Sequence, residues 1–131
     1  MTSFESKTVI DRPLGDVYDF LSDLNNHQQL MPEDITNWSS GYSEASFSVQ
    51  NMVKLSLKIA SRYGNKEVRI IPADKAPFDI TLLWSLSPDK EKTNITYTIT
   101  AELDIMMKMV ASGPLQKLVQ HEIEQLKAIL G

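Results

Sequence analysis

The stretch Asn94-Ile95-Thr96-Tyr97-Thr98-Ile99-Thr100-Ala101-Glu102-Leu103 alternates polar and apolar residues without a break. Successive side chains of an extended chain point to opposite faces, so Ile95, Tyr97, Ile99, Ala101 and Leu103 share one face. A strand with one dry and one wet face belongs to an antiparallel sheet that is covered on one side only. The pattern repeats upstream. Phe78, Ile80, Leu82, Trp84 and Leu86 form one face of a longer strand, joined to the first by a turn over the polar run Ser87 to Lys92. Ala45, Phe47 and Val49 alternate with serines and Gln50, and Val53, Leu55, Leu57 and Ile59 alternate with Lys54, Ser56 and Lys58. Gly64-Asn65 marks a tight turn before Val68 and Ile70.

The flanks of this sheet read as helical. Phe4 to Asp11 is a short strand, and Pro13 suits the first turn of a helix with Asp11 as its cap. Leu14, Val17, Tyr18, Leu21 and Leu24 then recur at a period of 3.6, Asn25-Asn26 is expected to stop the helix, and His27 to Met31 predicts one more short turn before Pro32. At the far end Leu115, Leu118, Val119, Glu122, Ile123, Leu126, Ile129 and Leu130 form a helical stripe that is apolar except for Glu122. Ile105 to Ala111 is helix-compatible, and Gly113-Pro114 predicts a helix start or a kink, because Pro114 has no N–H to donate.

A one-faced sheet must be covered, and the closing helix is the element long enough to cover it. Such a helix seldom fills the concave side of a curled sheet, so an apolar cavity is the expected by-product. The expected architecture is α+β: a curved antiparallel sheet of about six or seven strands around a long terminal helix, with one or two short helices after the first strand.

Composition narrows the function. The 131 residues, 42% hydrophobic and 23% charged, suit a single domain over 1–131 with one core. Net charge is −4, with no basic run, which argues against nucleic acid as a partner. The absence of cysteine excludes a disulfide framework, thiol catalysis and cysteine-ligated zinc. The N-terminal MTSFESKTVI carries no secretory pattern, and the apolar run Ile105 to Ala111 is interrupted by Lys108, so a cytoplasmic protein without integral membrane association is expected. The sequons at Asn37 and Asn94 read as chance matches in that setting.

The chain resembles the helix-grip superfamily (SRPBCC), which includes START-related lipid-transfer domains, plant pathogenesis-related allergens and bacterial polyketide cyclase/dehydrase-like proteins. The resemblance rests on the opening strand running into Arg12-Pro13-Leu14-Gly15-Asp16-Val17-Tyr18-Asp19-Phe20-Leu21-Ser22-Asp23-Leu24, on Leu30-Met31-Pro32 with Trp38, and on the helix from Gly113-Pro114-Leu115 to Leu126-Lys127. It covers essentially the whole chain. It implies a domain that grips a hydrophobic small molecule or lipid between sheet and terminal helix. Catalysis does not follow from it, since members span transport, sensing, cyclisation and chaperone co-factor roles.

Candidate ligand-lining residues are Met31, Trp38, Phe47, Leu55, Leu57 and Leu82, together with Trp84, Tyr97, Ile99, Met107 and Val110. Trp84 and Tyr97 read either as cavity wall, with the Tyr97 hydroxyl orienting a ligand, or as ordinary core. Met31, Met52, Met106, Met107 and Met109 suit an adaptable pocket or its gate, and equally the filling of irregular core gaps. Asp19, Asp23 and His27 are spaced i, i+4, i+8, but acidic residues near a helix start are favoured by its dipole, so no metal is expected. His121 falls off the apolar stripe and reads as a surface histidine. No serine–histidine pairing or glycine-rich phosphate loop is present. Three readings remain open. The first is a non-catalytic container for a hydrophobic small molecule, with no cofactor and an apolar, carboxylate-poor interior. The second is a cyclase-like enzyme acting on a carbonyl substrate, and the third is a protein-interaction module using the apolar groove.

Overall fold

The computed structural model describes residues 1–51, 53–76 and 78–131. Strand β1 (Thr2–Ile10) leads into helix α1 (Leu14–Ser22) and a 3₁₀ helix (Leu24–Leu30). Six further strands follow: β2 (Ile35–Ser40), β3 (Glu44–Val49), β4 (Val53–Tyr63), β5 (Glu67–Pro72), β6 (Ile80–Asp89) and β7 (Lys92–Ala101). Helix α2 (Ile105–Leu130) closes the chain. The strands form one antiparallel sheet in the order β1-β7-β6-β5-β4-β3-β2. A curved sheet of this kind with a long terminal helix on its apolar face is the helix-grip arrangement. No helix among the described residues is long and apolar enough to cross a membrane.

The alternating stretches become β6 and β7, and their register sets Trp84 opposite Tyr97 and Leu82 opposite Ile99. The two rings stack at 3.7 Å between centroids and 6° between planes, and both are fully buried. The β6–β7 connection is tighter than the polar run suggested: Asp89 pairs with Lys92, and Lys90 (φ 59°) occupies the left-handed region that such a two-residue turn requires. Phe78 lies before β6 rather than in it.

Several punctuation signals act differently from expectation. Asp11 does not cap α1; Pro13 is the N-cap, with no side-chain hydrogen bond. The helix stops at Ser22, before Asn25-Asn26, and Asp23 starts the 3₁₀ helix by accepting from the Asn25 N–H. Asn25 and Asn26 therefore lie within a second short helix. Its end before Met31-Pro32 follows from the restriction that proline places on the preceding residue. Of the two outcomes expected at Gly113-Pro114, a helix start is not what is seen. Helix α2 begins at Ile105, where Asp104 caps it by accepting from the Met107 N–H, and it runs on through Pro114. Strand β2, which no alternation announced, has a register shift between Thr36 and Ser39, beside Asn37 at φ 56°.

The ends of the helices are tied to the sheet. Arg62 on β4 donates to the Ser22 carbonyl at the end of α1 (2.9 and 3.1 Å) and to the Tyr42 carbonyl, while stacking 4.0 Å from the Tyr42 ring. A guanidinium there supplies donors to carbonyls that a helix end leaves unpaired. The end of α2 is held by Lys127 donating to the Val9 carbonyl at 2.6 Å and Arg12 donating to the Leu130 carbonyl at 3.1 Å. Helix α2 thus packs chiefly on β1, with further contacts to β7 and the 3₁₀ helix, and α1 packs on β5, β6 and β7. Toward β2 and β3 the helix that touches the sheet is the short 3₁₀ helix, so much of this concave face stays uncovered.

Candidate functional site

That uncovered face is a cavity of about 840 Å³. Its sheet wall comes from alternate inward positions: Ala45, Phe47 and Val49 on β3, Leu55 and Leu57 on β4, Ile70 on β5, Leu82 on β6 and Tyr97 on β7. Trp38 on β2 stacks on Phe47 at 5.3 Å between centroids, making a flat aromatic side wall. The opposite wall is one side of α2, including Val110, Pro114, Leu115, Leu118 and Glu122, and the 3₁₀ helix contributes Leu24 and His27.

Of the residues expected to meet a ligand, Met31, Trp38, Phe47, Leu55, Leu57, Leu82, Tyr97 and Val110 line this space. Trp84 and Ile99 do not: both are wholly buried in the adjoining core, with Trp84 filling the layer behind Tyr97. Met107 is half-buried away from the lining. Met106 and Met109 are about four-fifths exposed, so neither fills a core gap; with Ile105 and Val110 they put an apolar surface on the first turns of α2. Met52 falls outside the described residues. His121, expected at the surface, is half-buried and contributes to the lining.

The interior is not free of carboxylate. Glu122, the one polar interruption of the α2 stripe, is 2% exposed and faces the cavity. The Tyr97 hydroxyl donates to its Oε2 at 2.6 Å, a short bond between buried groups. Burial pushes the Glu122 carboxyl up to about 8, with the bond from Tyr97 pulling the other way. Tyr97 is raised well above the usual phenol range by burial, and further by the neighbouring Glu122. Near neutral pH both groups therefore carry their protons. Tyr97 then occupies one carboxyl oxygen as donor and leaves the acid proton on the other. Among the described residues only Ser22 Oγ and Trp84 Nε1 are both fully buried and unpartnered. Glu122 Oε1 has no hydrogen-bond partner among the described residues, and Glu122 is part of the cavity lining.

His27 is the third titratable group at depth. It is 3% exposed, its Nε2 bonds the Leu21 carbonyl at 2.8 Å, and its ring meets Trp84 edge-on at 6.2 Å. Burial lowers its pKa to about 4, against the Leu21 bond and the nearby Asp23, so it is a neutral imidazole with Nε2–H as donor. Since α1 ends at Ser22, Asp19 and His27 do not share a helix face, and Asp23 is engaged in capping. No cluster of three or more potential metal ligands occurs among the described residues.

The missed residue was Glu122. A lone acidic residue inside an otherwise apolar stripe was its signal, and an alternating-strand tyrosine was the matching one; only the fold shows that the two meet.

No protein-family model matches the chain, and no curated protein matches it in sequence. Solved structures do match it in fold. TTHA0849 from Thermus thermophilus is 16% identical, with a TM-score of 0.72 over 97% of this chain and 95% of that one. The Aha1 dimer from Colwellia psychrerythraea is 18% identical, with a TM-score of 0.75 over 99% and 96%. The di-domain ARO/CYC BexL of the BE-7585A biosynthetic pathway is 11% identical, with a TM-score of 0.74 over 98% of this chain and 46% of that one. The chain thus spans under half of that last protein. At such identities the likeness is one of fold, consistent with the helix-grip arrangement.

Proposed function

We propose that this chain binds one hydrophobic small molecule in the space between the sheet and α2. The observation that carries this reading is the 840 Å³ cavity, which falls in the size range of small-molecule sites and is walled mainly by aliphatic and aromatic side chains. A packed core leaves few voids larger than water, so space on this scale between well-formed elements is suited to an occupant. Native mass spectrometry of the purified protein, before and after exposure to a mixture of fatty acids and polycyclic aromatics, tests the reading. The expected result is a 1:1 adduct; a protein that neither carries nor takes up an apolar molecule would contradict it.

A second reading, an enzyme of the cyclase kind, is favoured by one feature: Tyr97 and Glu122, both buried and both with raised pKa, converge on the same cavity. A carboxyl titrating near 8 suits proton transfer at neutral pH. The discriminating measurement is the exchange of the α-protons of 2-tetralone in D₂O, followed by NMR at pH 8. Faster exchange with the native protein than with Glu122→Gln favours the enzyme; equal rates favour the container.

A further inference from the structure

We propose that the cavity selects apolar ligands that carry a hydrogen-bond-accepting carbonyl oxygen, which the Glu122 carboxylic acid engages through Oε1–H while Tyr97 holds Oε2. This rests on the reading of the cavity as a binding site and adds the chemical class of its occupant.

Three features of the geometry support it. First, Glu122 stands alone as an acidic side chain buried in the stripe of α2, and its Oε2 is already occupied by Tyr97 at 2.6 Å. That fixes the plane and direction of the carboxyl group and leaves one oxygen free. Secondly, that oxygen has no hydrogen-bond partner among the described residues, and it belongs to a cavity-lining residue that is only 2% exposed. An apolar molecule filling the space would cut this O–H off from water and leave it unpaired, which disfavours a pure hydrocarbon. A ligand presenting a ketone, aldehyde or ester oxygen removes that penalty. Thirdly, both members of the pair are neutral near pH 7 because both are buried, so the free group acts as a donor and not as an anion. A ligand carboxylate is disfavoured in the same place, since its charge would be buried without a cation beside it.

The other charged or titratable groups facing the space are His27 on the 3₁₀ helix, Asp34 near the start of β2, and Lys117, His121 and Glu124 on α2. His27 is neutral and engaged with Leu21, while Lys117, Glu124 and Asp34 are exposed. His121 is half-buried. The buried donor that changes charge between pH 7 and 9 is therefore the Tyr97–Glu122 pair.

Fluorene and 9-fluorenone test this, because they share size and shape and differ in the carbonyl. Affinities of both are measured by fluorescence or calorimetry for the native protein, a Glu122→Leu, Tyr97→Phe double variant and Glu122→Gln, from pH 6 to pH 9.5. For the native protein at pH 6.5 the expected preference for fluorenone over fluorene is about threefold to tenfold, the scale of one net hydrogen bond. The preference should shrink above pH 8 as the donor is lost. Glu122→Leu combined with Tyr97→Phe, which also removes the hydroxyl that the single change would leave unpaired, should bind both probes with no preference. Glu122→Gln, whose amide donates at every pH, should keep a preference that no longer depends on pH. The infrared carbonyl band of bound fluorenone should lie at lower wavenumber in the native protein than in the double variant. Equal binding of the two probes by the native protein, or a preference that survives in the Glu122→Leu, Tyr97→Phe double variant, would overturn the carbonyl anchor while leaving the container intact. Binding of neither probe would overturn both.

Discussion

Two buried side chains, His27 and Glu122, give this fold an unusual dependence on pH. His27 titrates near 4 when folded and near 6.5 when unfolded, so the unfolded chain takes up its proton first and stability falls as pH drops from 6.5 toward 4. Glu122 titrates near 8 when folded and near 4.5 when unfolded, so the unfolded chain loses its proton first and stability falls as pH rises from 4.5 toward 8. Each contributes a slope approaching about 1.4 kcal/mol per pH unit within its window, and the two oppose one another between 4.5 and 6.5. Urea unfolding at intervals from pH 4 to 8 is therefore expected to show Glu122→Gln gaining stability relative to the native protein as pH rises, and His27→Gln gaining as pH falls. Parallel curves for all three proteins would contradict these ionisation states. At this scale the sequence was only partly legible. Tyr97 was visible as an inward residue of an alternating strand and Glu122 as a flaw in an apolar stripe, but they are 25 positions apart and their 2.6 Å bond depends on where α2 crosses β7. His27 was read in relation to Asp19 and Asp23, whereas its partners are a backbone carbonyl and a tryptophan in β6.

Elements with strong periodicity were the most legible, because burial of one face dictates both the pattern and the structure. Strands β6 and β7 and the latter half of α2 lie where alternation and the 3.6-residue stripe set them. Local punctuation was less reliable, since tertiary packing and caps override it. The cap from Asp104 starts α2 about two turns before Gly113-Pro114, and the proline is accommodated within a long helix at the loss of one backbone donor. Gly113 is exposed, lies in helical backbone, and has open space where a side chain would project. Gly113→Ala adds helix propensity worth about 0.5–1 kcal/mol but sets a Cβ against the Pro114 ring, a crowding that disfavours helical backbone before proline, so Tm is expected to be unchanged or lower in a thermal melt. A rise of several degrees would contradict this and show that α2 absorbs the crowding before Pro114. The bulge in β2 at Asn37 explains why that strand showed no alternation: an extra residue resets which face each side chain takes.

For the molecule as a whole, the architecture followed from the order of elements, and the existence of an interior space from the mismatch between a broad curved sheet and a single long helix. Its contents did not, because lining depends on how far α2 stands off from the middle strands. Trp84 and Ile99, inward on the same face as Leu82 and Tyr97, sit where the layers close and are core; Leu55 and Leu57 sit where they part and are wall. Of the exposed apolar residues on the first turns of α2, Val110 lines that gap, whereas Ile105, Met106 and Met109 lie outside its lining. The reading of this gap as a container is tested most directly by methyl-resolved NMR during titration with fluorene. Shifts concentrated at the methyl groups of Ala45, Leu55, Leu57, Ile70 and Leu82, with Ile10, Val17 and Val119 unmoved, are the expected result. Shifts confined to Ile105, Met106 and Met109, or none at all, would contradict it.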